Sequence, residues 1–222
     1  MLRGLFVTGT DTGVGKTVVA AALLHRYGGG AAPLRYWKPI QTGTRLDDDT
    51  AEVRRLTAGV GVEVVDEGVR LAEPVSPHLA AALAGTEIDL APLVARRTGG
   101  AAAGAWIVEG AGGVLVPINR SRLMVDLMAA LGLAALVVAR SSLGTINHTL
   151  LTLACLRGRS VSVAGVVMVG EPDRHNRAAI EDYGRVVVVG EMPRFERVSA
   201  AALAGWAPRG LDPRARLGEW LE

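Results

Sequence analysis

Of the 24 basic residues in the chain, only Lys16 and Lys38 are lysine; the rest are arginine. A composition rich in Ala, Gly and Val goes with an arginine preference that needs no functional cause. The two exceptions then carry information. An ammonium is a compact charge with three donors, and a planar guanidinium does not replace it in a tight phosphate site. Lys16 lies in Gly9-Thr10-Asp11-Thr12-Gly13-Val14-Gly15-Lys16-Thr17, between an apolar run and a helical one. The glycines let backbone N–H groups turn toward phosphate oxygens, and the helix N-terminus adds positive potential. In such a phosphate-binding loop Lys16 bridges β- and γ-phosphates and the Thr17 hydroxyl ligates Mg²⁺. The usual spacing between the glycines is met only when Thr10 takes the first place, because Gly9 stands one residue too early.

Lys38 lies in Tyr36-Trp37-Lys38-Pro39-Ile40-Gln41-Thr42-Gly43, at the end of a strand stopped by proline. Ligands of open α/β sheets bind outside the carboxyl ends of the strands, so Lys38 is placed to meet a substrate or a transferring phosphoryl group. Two carboxylate motifs follow. Asp47-Asp48-Asp49 precedes a helix, where aspartate also serves as a plain cap. Glu109 closes the apolar run Ala105-Trp106-Ile107-Val108 and opens Glu109-Gly110-Ala111-Gly112-Gly113. A carboxylate at the end of a buried strand is costly unless it is paired or metal-bound. Mg²⁺ takes a few carboxylates together with phosphate oxygens and water, and Thr17, Asp49 and Glu109 meet that demand.

The elements that must position these groups are legible as alternating runs. Strands are expected at Leu2 to Thr8, Leu34 to Lys38, Ala105 to Glu109, Ala134 to Ala139, Val161 to Val169 and Arg185 to Val189, with a short one at Val69 to Ala72. Helices are expected at Lys16 to Tyr27, Asp49 to Ala58, Pro77 to Ala84, Leu90 to Arg97, Arg122 to Leu131, Thr145 to Leu156 and Arg174 to Tyr183. The final 30 residues or so hold one or two short helices. Continuous apolar strands separated by helices predict an α/β fold, a parallel sheet flanked by helices on both faces, and one domain over residues 1–222. Half the chain is hydrophobic, which excludes disorder, and only 4% is aromatic, so Ala, Val and Leu must build the core. The net charge of +2 gives no basic stripe for nucleic acid. One cysteine, Cys155, excludes an internal disulfide and reads as a small core residue. The longest uncharged apolar run, 127–139, is too short to span a membrane, and Met1-Leu2-Arg3-Gly4 has no signal-peptide pattern, so a cytoplasmic protein is expected. His25, His175 and the Arg-rich C-terminal region read as structural or solvated.

The ordered set of motifs resembles the dethiobiotin synthetase family. The matching residues are Val7 to Thr12 and Val14 to Thr17, Lys38-Pro39 with Thr42-Gly43, Asp49, Ser76-Pro77-His78, Val108 to Gly113, and Gly144-Thr145-Ile146-Asn147-His148. They cover residues 2 to about 170; beyond, only Gly190-Glu191-Met192-Pro193 matches, loosely. The resemblance implies a P-loop NTPase-like three-layer sandwich and a homodimeric enzyme dependent on ATP (or another nucleoside triphosphate) and Mg²⁺. It would form dethiobiotin from 7,8-diaminopelargonic acid and CO₂ through a carbamate and a carbamic–phosphoric anhydride. It also implies roles. Lys38, Lys16 and Thr12 are catalytic, and Thr17, Asp49 and Glu109 hold the metal. Nucleotide contacts fall on Gly13, Val14, Gly15, Lys16, Thr17, Val18, Asp49, Glu109, Gly110, Ala111, Gly112, Val169, Gly170, Pro193 and Arg194. Thr12, Lys38, Thr42 and the partner subunit's stretch Gly144, Thr145, Ile146 and Asn147 hold the substrate. Helix capping is the plain alternative for Asn147 and His148.

The chain departs from the family at Gly13, where better-known members carry Glu, and at Thr42, which replaces a usual Ser. Val169 stands where some members use Asn to read adenine. A valine side chain cannot hydrogen-bond a base edge, so ATP, CTP and GTP are expected to support turnover comparably. A different reading is a partner-switching ATPase of the MinD/ParA kind. Those proteins carry an extra lysine early in the phosphate loop, where this chain has Gly9 or Thr10. An amide-forming ligase of the cobyrinate type would need a glutaminase domain, for which this length leaves no room.

Overall fold

The computed structural model describes residues 2–30, 33–98 and 104–221. Its strands are β1 (Gly4–Gly9), β2 (Leu34–Trp37), β3 (Ile40–Gln41), β4 (Glu63–Val65), β5 (Val69–Arg70), β6 (Ala105–Gly113), β7 (Ala134–Arg140), β8 (Val163–Val169) and β9 (Val188–Met192). Its helices are α1 (Lys16–Tyr27), α2 (Asp49–Leu56), α3 (Pro77–Leu83), α4 (Leu90–Thr98), α5 (Met124–Leu131), α6 (Thr145–Gly158), α7 (Arg174–Gly184), α8 (Ala200–Gly210) and α9 (Gly218–Leu221).

Alternation along the central strands explains the layers. In β1, Leu5 and Val7 enter one hydrophobic core and Phe6 enters the other. In β7, Ala134, Leu136 and Val138 share the first core, while Ala135, Val137 and Ala139 share the second. Both phases of the two-residue period are apolar, which is what a strand covered on two faces requires. Val19, Leu23 and Leu24 of α1, Val53 and Leu56 of α2, Leu203 of α8 and Leu221 of α9 fill the first core. Ala80 of α3, Leu93 of α4, Met124, Val125, Leu127 and Met128 of α5, Leu153 of α6 and Ile180 of α7 line the second. The sheet order is β4-β2-β6-β1-β7-β8-β9, all parallel, with β3 and β5 pairing apart as a short parallel ribbon. The expected α/β architecture with helices on both faces is therefore present.

Several boundaries differ from the sequence reading. Glu109 does not close its strand; β6 continues to Gly113. The glycines permit this, because at Gly110 a Cβ would stand 2.8 Å from Phe6 Cε1. A register shift between Val7 and Gly9 then lets Gly113 pair with Gly9. Strand β9 starts later than Arg185, since Arg185 ends α7 in the left-handed conformation at φ 44°. Helix α5 begins at Met124 rather than Arg122. The Arg122 carbonyl is held in a turn by the N–H groups of Ile118 and Asn119, and the Asp126 carboxylate caps Leu123 N–H at 2.7 Å. β3 and the half-exposed β4 had no sequence expectation. No helix among the described residues is long and apolar enough to cross a membrane.

Candidate active site

The carboxyl ends of β1, β2 and β6 lie side by side in the sheet, and each delivers a polar group to one point. Buried β1 runs into the phosphate loop. Gly15, at φ +98°, turns the chain into α1, and its carbonyl accepts the first helical bond from Val19 N–H at 2.9 Å. That turn sets Lys16 and Thr17 on the first turn of α1. Lys38 follows β2 directly. Asp48 caps α2, its carboxylate accepting from the N–H groups of Thr50 and Ala51, so Asp49 heads that helix. The capping reading holds for Asp48, and Asp49 is freed for other work.

These groups meet. The Lys38 ammonium lies 2.6 Å from Asp49 Oδ2 and 2.8 Å from Glu109 Oε1. The Thr17 hydroxyl stands 2.9 Å from Asp49 Oδ1 and 3.0 Å from Glu109 Oε1, and its single proton serves one of them at a time. Tyr36 donates its phenol proton to Glu109 Oε2 at 2.8 Å. Lys38 is 4% exposed and Glu109 1%, so this pair is almost wholly removed from water, while Thr17 and Asp49 are half-buried at its open side. Burial pulls Lys38 toward its neutral form, but the charges of Glu109 and Asp49 and their hydrogen bonds outweigh it, and its pKa stands above the usual lysine value. Burial likewise opposes the Asp49 charge; Lys38 prevails and holds that carboxyl below its usual value. Burial, reinforced by the Glu109 charge, keeps the Tyr36 phenol well above the usual tyrosine range, so it remains a donor.

Lys16 is differently placed. Its ammonium donates to the Asp11 carbonyl at 3.2 Å, within its own loop. Burial is the largest influence on it and lowers its pKa, with the Lys38 charge pushing the same way against Glu109 and Asp49. A buried cation without a direct carboxylate partner, at a helix N-terminus, is a seat for an anion.

Two carboxylates and a hydroxyl are hard oxygen donors of the kind Mg²⁺ takes, and they already enclose one cation, the Lys38 ammonium. The described residues hold no cluster of three or more His, Cys, Asp or Glu side chains able to bind a metal. The donor set is therefore incomplete by itself and suits an ion that completes its shell with phosphate oxygens and water.

The other expected residues spread along the same edge. Thr12 is exposed on the loop, beside a cleft of about 530 Å³ that Thr10, Asp11, Gly113 to Pro117, His148, Leu151, Thr152 and Cys155 also line. Thr42 is half-buried and Lys38 fully so, and neither lines this cleft. Gly144 and Asn147 are exposed at the start of α6, with Ile146 half-buried and Thr145 buried between them. Val18 is half-buried on α1, behind the loop. Val169 abuts the loop from β8: its Cγ1 would lie 3.4 Å from a Cβ at Gly15. Gly170 N–H donates to the Met192 carbonyl, which brings Pro193 and exposed Arg194 to the same rim. Cys155 is only part-buried and borders the cleft, so it is not the interior residue expected of it.

Two participants escaped the sequence reading. Tyr36 lies two residues before Lys38, so the strand period sets both on one face; that signal was available. Arg140, at the end of β7, pairs with the loop residue Asp11, whose other oxygen accepts from Thr12 N–H at 2.7 Å. Arginine is so common in this chain that Arg140 carried no signal of its own.

A strand–glycine loop–helix unit with Lys16 and Thr17 at the centre of a parallel sheet defines a P-loop nucleotide-binding protein. Likeness to solved structures agrees on the fold: a ParA family ATPase from Chlorobium tepidum TLS superposes with a TM-score of 0.55 at 10% identity, over 93% of this chain and 98% of that one. A family model described as an AAA domain matches residues 3–202. The chain is 48% identical over 207 residues to the ATP-dependent dethiobiotin synthetase BioD of Paramagnetospirillum magneticum, covering 93% of this chain and 96% of the relative. It is 40% identical over 223 residues to the BioD of Rhodopseudomonas palustris (strain CGA009), covering 99% of each. The chain belongs to the dethiobiotin synthetase family.

Proposed function

We propose that this chain is an ATP-dependent dethiobiotin synthetase, closing the ureido ring of dethiobiotin from 7,8-diaminopelargonic acid and CO₂. The observation that carries this reading is Lys38. Its buried ammonium stands beside the phosphate loop, held by Asp49 and Glu109 and kept protonated by them.

The chemistry joins anions. One amine of the substrate takes up CO₂ as a carbamate, which must approach a triphosphate of like charge. Lys16 neutralises the β- and γ-phosphates from the loop. Lys38 neutralises the carbamate and the phosphoryl group as it transfers. The second amine then attacks the carbamic–phosphoric anhydride and expels phosphate. Phosphoryl transfer asks chiefly for in-line positioning and preorganised positive charge, and charges fixed in a dry site act without reorganising water. Thr17, Asp49 and Glu109 would hold Mg²⁺, which supplies further charge neutralisation on the phosphates when bound. Thr12 and Thr42 offer hydroxyls to the diamine or carbamate. We read residues 1–222 as one domain, because α8 and α9 from the C-terminal region pack on the same core as β1 and α1.

A homodimer fits the surface. Leu143 is 99% exposed, Leu151 and Leu115 more than half exposed, and the last two border the cleft beside Thr12. A second copy laid there would cover apolar surface and bring its Gly144 to Asn147 stretch, with free helix N-terminal N–H groups, toward the substrate's carboxylate. Sedimentation at twice the chain mass is the expected result; a monomer at working concentration contradicts it.

The activity is tested by incubating the protein with Mg-ATP, bicarbonate and diaminopelargonate. Phosphate release that requires the diamine is expected. Release without the diamine favours a switch ATPase; tight nucleotide binding with no release at all points to a different acceptor.

A further inference from the structure

We propose that Tyr36 is a positioning residue for the divalent cation: its phenol hydroxyl, bonded to Glu109 Oε2, fixes the rotation of that carboxylate so that Oε1 faces Thr17, whose hydroxyl also meets Asp49. The proposal rests on the reading that Thr17, Asp49 and Glu109 hold the metal.

Three facts support it. The Tyr36 hydroxyl reaches Glu109 Oε2 at 2.8 Å, whereas Thr17 and Lys38 both reach Oε1, so the two oxygens have separate duties. Tyr36 is fully buried, and no water competes for its proton. Its register is set by the sheet, since Tyr36 pairs with Ile107 and Trp37 with Val108 across β2 and β6, which puts the ring beside the strand that carries Glu109. A carboxylate on a strand can turn about its terminal bond. A hydrogen bond on its outer oxygen removes that freedom before the metal arrives. Groups that orient metal ligands in this way contribute about 10- to 100-fold to metal affinity. A core tyrosine whose hydroxyl merely found the nearest acceptor would affect stability and leave metal affinity alone.

Tyr36→Phe keeps the ring and deletes the hydroxyl. Mn²⁺ binding is measured by electron paramagnetic resonance in the presence of a non-hydrolysable ATP analogue, for the parent, Tyr36→Phe and Glu109→Gln. Binding of the analogue in EDTA reports that the loop is folded and should match the parent in Tyr36→Phe. Tyr36→Phe should weaken Mn²⁺ about tenfold. In turnover assays it should raise the Mg²⁺ concentration for half-maximal rate by a similar factor, with kcat mostly recovered at saturating Mg²⁺. If Glu109→Gln loses Mn²⁺ while Tyr36→Phe stays within twofold of the parent, the role of Tyr36 is overturned and the metal site stands. If Glu109→Gln binds Mn²⁺ as the parent does, the metal site itself fails and the proposal with it. A kcat loss in Tyr36→Phe that saturating Mg²⁺ does not restore also overturns it.

Discussion

Glu109 on β6 accepts hydrogen bonds from Thr17 at the head of α1 and from Tyr36 and Lys38 at the end of β2. Val169, three strands along the same sheet edge, presents only methyl groups to the loop. Two polar side chains on the flanking elements are engaged elsewhere. Asn176 donates to the Ser141 carbonyl and to Asp173, and Glu191 pairs with Arg177. The phosphate half of the edge is thus specified atom by atom, and the half beyond β7 is shaped but not addressed. Sites that must stabilise charge at a defined point require fixed donors, whereas a group that only needs to be held can rest on apolar contact. The difference predicts that substitutions in the first half act on chemistry, and that those in the second half act on which nucleotide is taken.

The largest effect is expected at Lys16. Lys16→Ala removes the ammonium from the loop and should lower nucleotide-dependent turnover on the order of a thousandfold. Turnover within tenfold of the parent would show that the loop does not hold the phosphates. Lys38→Arg comes next. It keeps a positive charge but replaces a compact donor by a fork in a fully buried seat between two carboxylates. A loss in kcat of about a hundredfold is expected, with the melting temperature little changed. Near-normal kcat would remove Lys38 from the chemistry and erase the contrast between the two halves.

A smaller effect concerns pH. The Asp49 carboxyl is held below its usual value in the folded chain. The stability it lends is complete above its unfolded pKa, about 3.9, and is lost as pH falls through the lower folded value. Asp49→Asn removes that contribution. The variant should therefore lose less stability than the parent between pH 5 and pH 2, as read by urea unfolding at several pH values. Equal losses would mean that Asp49 is not held charged by Lys38.

What the sequence made legible follows the same division. The lysines were visible because the rest of the chain avoids lysine, and Glu109 because a charge stood against an apolar strand. Their convergence was not visible. Lys38 and Glu109 are 71 residues apart, and only the parallel order β2-β6-β1 brings them together. The strand period sets Tyr36 on the face of Lys38, but a tyrosine in an apolar run reads as core until its acceptor on another strand is known. The start of β9 was misjudged because Val186 to Val189 is a uniform run in which periodicity has nothing to distinguish. Edge strand β4, three residues and half exposed, lacks the apolar run by which the central strands were recognised.

The smallest expected effect lies at the apolar half and concerns the base. Discrimination among nucleobases needs hydrogen bonds to base edges; pockets that offer only carbon distinguish poorly between ligands of similar size. Val169, Gly170, Met192 and Pro193 offer no side-chain hydrogen bond to a base edge, the Gly170 N–H is already spent on the Met192 carbonyl, and Arg194 beside them is exposed to water. ATP, CTP and GTP should accordingly give kcat/KM values within about fivefold of one another. Val169→Asn places an amide, both donor and acceptor, where the valine methyls now face the loop. One net hydrogen bond contributes about 1 kcal/mol, so this variant should favour ATP over CTP by about fivefold more than the parent does. Steady-state kinetics with the three triphosphates reads both numbers. A parent that prefers ATP a hundredfold would mean that backbone groups at this rim address the base, and the two halves of the edge would then be alike in plan.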